Sequence, residues 1–248
     1  MALGFTGETM SNYQVLNKTA HADTKVITER SAEYGDNVKF AMTFPLEFRN
    51  IQSNYPIFFS KDGDTGQFYP VALFGFEEKE NLFLSDSGWD ATYIPMMIQR
   101  QPFLIGFQGP EEEKNAVASI NMDNPRVNTE KGEALFTAEG HQTEYLQQAL
   151  NRLEAIHTGH QHNKAFVAAL LDNELLEPFT LEITLNDGSN NQLLGFYTVN
   201  EEKMLNLKGD TLERLNKEGY LQAIYMQMAS FARIRALIDK KNALLGKA

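Results

Sequence analysis

The 248-residue sequence contains no cysteine and one tryptophan, and its basic residues are outnumbered by acidic ones. Without cysteine there is no disulfide framework, thiol nucleophile, iron–sulfur cluster or cysteine-based zinc finger, so any metal must sit on histidines and carboxylates. Lysine and arginine total 22 against 33 aspartates and glutamates, a net charge of −11 that repels a phosphate backbone. Nucleic acid is therefore not an expected partner. Long apolar runs are also missing: the longest, 69–76, is far shorter than the roughly 20 residues a membrane helix needs. No integral membrane segment is expected. Neither the Gly-x-Ser-x-Gly elbow of hydrolases nor the Gly-x-x-x-x-Gly-Lys phosphate cradle occurs. The first ten residues, MALGFTGETM, carry no basic segment or apolar run of a secretory leader, so the expected location is cytoplasmic. Residues 1–9 read as an extension or expression scar ahead of Met10, and 10–248 as the folded part.

What is present is an α+β pattern. From Asn37 to Ile105 β-branched and aromatic residues are broken at short intervals by Gly, Pro, Asn and Asp, the pattern of short antiparallel strands with tight turns. Strands are expected at 38–43, 55–60, 68–76, 81–84, 103–107 and 116–121, with KDGDTG (61–66) as a hairpin turn and 108–116 as a solvated loop. After Gly140 the period lengthens to that of a helix. Leu146, Leu150, Leu153 and His157 predict an amphipathic helix over 144–157, ending near Gly159, and a second helix is expected over 164–171. Phe179, Leu181, Ile183 and Leu185 alternate with polar neighbours, turn at 186–189 and return through 192–199 as a β-hairpin. Asp210 is expected to cap a helix start. A long closing helix over about 219–245 presents Leu221, Ile224, Tyr225, Met228, Phe231 and Leu237 on one face, with Arg233, Arg235, Lys240 and Lys241 towards its negative end. The expected organisation is one unit, β-rich to about 121 and α+β after about 140.

Specific segments carry a resemblance. YPIFF (55–59), TGQFYPVALFGF (65–76), ENLFL (80–84), GWDATYIP (88–95) and QRQPFLIG (99–106) resemble the bacterial SapC family in order and spacing. The likeness continues through GEALF (132–136), TEYL (143–146), LLEPFTLEITLNDG (175–188) and VNEEKM (199–204). The family usually reads Arg-Arg-Tyr-Pro-Phe where this chain has Gln99 to Phe103, and GHQHNK (159–164) is richer in histidine than the family pattern. The resemblance implies a tie to bacterial surface layers by name. It also implies a genomic setting of TonB-dependent receptors, flavin-dependent tryptophan halogenases and cupin-like or JmjC-like dioxygenases, hence uptake or modification of peptides. It supplies no catalytic residues.

Candidate chemistry is sparse. His157, His160 and His162, with Glu154 one turn earlier, have partial ligand spacing, but with Gly159 ending the helix a polar turn between two helices accounts for them better, and no metal is expected. Asp62-x-Asp64-x-Gly66 opens like a calcium loop but has Leu73 where the bidentate glutamate belongs. His21-Ala22-Asp23 is the only match to the facial pair of an iron oxygenase. No cofactor is expected. The better candidate is a recognition surface for a peptide or amino-acid-like ligand: Trp89 and Tyr93, supported by Tyr55, with Arg100 anchoring a carboxylate. A core role for Trp89 is the stronger of its two readings. The leading functional expectation is a non-catalytic binding or accessory protein. Its protein partners would come from halogenase, dioxygenase or TonB-dependent uptake systems. A peptide-modifying enzyme and a surface-layer component are the alternatives.

Overall fold

A computed structural model describes residues 12–110 and 115–246. It is α+β and resolves into two compact units that are each discontinuous in sequence: the chain up to Asp36 with Ile98–His157, and Asn37–Met97 with the chain from Thr158 onward.

The first unit is built on a three-stranded antiparallel sheet in which Asn115–Asn121 lies between Tyr13–Val15 and Phe103–Gln108. A smaller sheet centres on Lys25–Val26, flanked by Val127–Asn128 and Glu133–Ala134. Leu146, Ala149 and Leu153, at helical spacing, pack with Val26, Phe103, Ile120, Leu135 and Phe136 to form the core. Thr143 starts the helix: its hydroxyl accepts from the Leu146 amide (3.2 Å) and donates to the Ala134 carbonyl (2.7 Å).

The second unit holds a five-stranded antiparallel sheet, ordered Leu176–Thr184, Asn190–Val199, Ile57–Lys61, Phe68–Leu73, Phe40–Met42. The expected KDGDTG hairpin forms because Asp62 Oδ1 accepts from the Asp64 amide and from both amide and hydroxyl of Thr65. Those bonds hold the Asp62 carboxyl below its ordinary value and commit the oxygen to the turn. In the second hairpin Leu181 pairs with Leu193 but Phe179 pairs with Phe196, so Leu194 and Gly195 oppose Thr180 alone. Gly195 takes φ +80°, a backbone that a side chain would strain, and this bulge turns Leu194 outward to 57% exposure.

Two expectations about helices are corrected. Glu144–Asp172 is one 29-residue helix, not two joined by a histidine-rich turn. Gly159 sits inside it for a packing reason. A Cβ there would lie 2.8 Å from both the Phe44 ring and the Leu46 side chain, so only glycine lets segment 44–46 approach. Asp210 is not the cap of its helix, which runs Gly209–Lys217 with Lys208 at the N-cap; Asp210 lies in the first turn, still favourable to the dipole. The cap predicted for Asp210 occurs instead at Asn200, whose side chain accepts from the Lys203 amide (2.7 Å).

The closing helical stretch runs Tyr220–Ala229, one 3-10 turn at Ser230–Ala232, then Arg233–Leu245. The bend has a cause: Ser230 Oγ donates back to the Gln227 carbonyl (2.5 Å) and accepts from the Ile57 amide (2.8 Å), while Gln227 Nε2 donates to the Ile57 carbonyl (2.8 Å). Tyr225, expected on the apolar face, is instead 52% exposed, and because of that break Arg233 and Arg235 fall at the start of the last helix, not its negative end. Lys240 instead bonds Asp90 (2.5 Å), and Lys241 bonds Glu77 (2.8 Å) and Glu80.

Candidate functional site

Three of the four expected recognition residues come together in the second unit. Trp89 Nε1 donates to the Tyr55 hydroxyl (2.7 Å), and Tyr55 in turn donates to the Tyr93 carbonyl. The Tyr93 hydroxyl donates to Glu47 Oε2 (2.8 Å). Glu47 closes the chain. It accepts on the same oxygen from the Met96 amide (3.1 Å) and on Oε1 from the Thr43 hydroxyl (2.7 Å). Local sequence explains the arrangement: Gly88, at φ +101°, turns the chain so that Trp89 pairs with Leu84, and Pro45 sets the 3-10 turn that brings Glu47 inward.

Burial sorts these residues. Tyr55 is fully buried, with its ring edge-on to Phe74 and Phe83, while Trp89 and Tyr93 are half-buried. Trp89 also meets Phe74 edge-on at 5.4 Å between centroids. Burial pushes the Glu47 carboxyl above its ordinary value, opposed by the bonds from Thr43, Met96 and Tyr93. Burial likewise pushes up the Tyr55 phenol. The polar tips of Tyr55 and Trp89 are spent on neighbours within the unit, so this is a latch fastening 88–96 onto 47–55. Arg100 belongs to the first unit, where its Nη1 donates to the Phe103 carbonyl (3.0 Å).

A concave surface of the second unit lies over Gly159. It is an open cavity of about 310 Å³ floored by Leu46, Ala223 and Met226 and rimmed by His162, Tyr220 and Gln222. It owes its depth to two glycines, Gly159 and Gly219, which add no side chain to its wall. His157, His160 and His162 all ride on the long helix, and among the described residues no three His, Asp or Glu side chains converge as a metal site.

Sequence reasoning missed the polar centre of the first unit. Asp36, fully buried, accepts from Arg30 Nη1 on Oδ1 (3.3 Å) and from Arg126 Nη2 (2.5 Å) and the Ser31 amide (3.1 Å) on Oδ2. Arg126, 1% exposed, also donates through Nη1 to the carbonyls of Ile27 (3.0 Å) and Glu29 (2.6 Å), and its guanidinium lies 5.2 Å from the Tyr34 ring centre. The nearby Tyr145 phenol is pushed up to about 12 by burial, against the positive charges of Arg152, Arg30 and Arg126. Arginine placement was the available signal: Arg30, Arg100, Arg126 and Arg152 are all the arginines of this unit, in a chain that is otherwise acidic.

The sequence model of the SapC family matches residues 16–237. The chain belongs to the SapC family. No curated protein and no solved structure matches it. The SapC match takes in both units, including the latch at Glu47, Tyr55, Trp89 and Tyr93 and the arginine centre at Arg30, Asp36 and Arg126. Among the described residues no helix is long and apolar enough to cross a membrane.

Proposed function

We propose that this SapC-family chain is a non-catalytic binding or accessory protein for a peptide or amino-acid-like ligand, serving uptake or modification of peptides in the cytoplasm. The observation that carries this reading is the cavity over Gly159, whose volume of about 310 Å³ suits one or two amino-acid side chains and whose apolar floor is ringed by hydrogen-bonding groups. Leu46, 48% exposed on that floor, is an apolar contact that solvent does not favour. The latch supports the non-catalytic half of the proposal: Glu47, its buried carboxyl, accepts from three donors of its own unit, which commits both oxygens to packing. Partners of the halogenase, dioxygenase or TonB-dependent kind would hand over or receive the bound peptide.

The test is retention of a defined peptide mixture on the immobilised full chain, read by mass spectrometry, beside Met226→Arg, which fills the cavity with a charged side chain. Peptides retained unchanged by the native chain and lost by Met226→Arg support the proposal. Equal retention by both chains, or no retention, contradicts it. Peptides released with an altered mass would favour the enzyme alternative.

A further inference from the structure

The arginine centre of the first unit is satisfied on one side only. Asp36 is the only carboxylate among the described residues bonded to Arg30 or Arg126, so two guanidiniums share one negative charge and one positive charge is left over. Arg126 Nε–H is buried and reaches no acceptor, and neither does the buried Ser31 hydroxyl. Arg30 spends only Nη1, on Asp36 and on the Ile98 carbonyl (3.2 Å). Its outer edge, Nε with Nη2, donates to no described group, and the side chain keeps 14% of its surface in solvent.

That edge is the face of a guanidinium that grips a carboxylate with two parallel N–H bonds. The Tyr145 hydroxyl likewise has no partner among the described residues and is not among the sealed atoms, so a donor and a fork are both left open. Tyr145 is held against Phe103, ring centres 6.2 Å apart, which fixes its direction. We propose that the first unit binds a carboxylate group, of a small acid or a peptide terminus, on the Nε–Nη2 edge of Arg30 with Tyr145 as hydroxyl donor. The surplus of one charge selects a monoanion over a dianion such as phosphate, since a second negative charge would enter a poorly solvated site with no counterion. The phenol stays protonated throughout the neutral range and keeps its donor. The inference is independent of the cavity in the second unit, and the two fail separately.

The experiment is a calorimetric and NMR titration of the full chain with N-acetyl-L-phenylalanine, its C-terminal amide, acetate and inorganic phosphate. The expected result is saturable binding of N-acetyl-L-phenylalanine, at least about tenfold weaker binding of the amide and of phosphate, and backbone shifts centred on 30–36 and 145–152. Acetate binding at the same residues, weaker than N-acetyl-L-phenylalanine, would assign the site to a peptide terminus; equal binding would assign it to any small acid. Arg30→Lys keeps the charge but not the fork and should weaken binding about tenfold. Tyr145→Phe leaves the bonds between Asp36 and Arg126 untouched and should weaken it about threefold. No saturable binding, equal binding of acid and amide, binding of phosphate as tight as the acid, or full affinity in both variants would overturn the proposal.

Discussion

Among the described residues each unit buries one carboxylate almost completely, Asp36 in the first and Glu47 in the second, yet the surroundings differ in kind. Glu47 is met by neutral donors, two hydroxyls and an amide, and burial favours its protonated form. Asp36 is met by two guanidiniums, one of which has an unmatched Nε and the other an unspent edge. A neutral, closed network has nothing left to offer a ligand. A charged, incomplete one retains both field and donors, because a buried charge demands a partner far more strongly than a buried dipole does.

Breaking the ionic centre should be the most costly change. Asp36→Asn leaves Arg126 buried without a counterion and is expected to lower stability by about 3–5 kcal/mol in urea denaturation. Gly159→Ala comes next. Alanine favours a helix interior by about 1 kcal/mol over glycine, but here its Cβ meets Phe44 and Leu46 at 2.8 Å, so the net expectation is a loss of about 1–3 kcal/mol. A gain in stability would show that segment 44–46 yields easily.

Smaller changes sharpen the contrast. Tyr55→Phe removes the hydroxyl shared by Trp89 Nε1 and the Tyr93 carbonyl and should lower stability by about 1–2 kcal/mol, since half-buried Trp89 can recover a water. Near-zero loss would mean that 88–96 is fastened by ring packing alone. Glu47→Gln should change stability at neutral pH by less than about 1 kcal/mol. Its amide oxygen can still accept from Tyr93 and Met96, and its NH₂ can donate to the Thr43 hydroxyl. Its signature is pH dependence. A carboxyl raised in the folded state contributes stability that is fully present below its unfolded value and is lost as pH rises through the folded one. The native chain should therefore weaken over that rise relative to Glu47→Gln, and parallel pH profiles would contradict the neutral-network description.

Much of this was legible in the chain and some was not. The strands at Ile57–Lys61, Phe68–Leu73 and Phe103–Gln108 follow from β-branched and aromatic content between turn residues, both of which are local. The helix break expected at Gly159 is absent, because the reason for glycine there is a distant segment, Phe44 to Leu46, that no local pattern reports. Tyr55, Trp89, Tyr93 and Arg100 were expected as one recognition surface; the hydrogen bonds that join the first three to one another and to Glu47 depend on tertiary approach, and Arg100 lies in the other unit. Arg126 pairs with Asp36 across 90 residues, and nothing in the flanking Asn124-Pro125 or Val127-Asn128 marks it as buried.

The difference between the two polar centres is tested most directly by hydrogen exchange on the full chain with and without saturating N-acetyl-L-phenylalanine. Slowed exchange at 27–36 and 145–152, with 47–55 and 88–96 unchanged, is the expected result. Slowing confined to 47–55 and 88–96 would contradict it, making the latch the binding surface and the arginine centre purely structural.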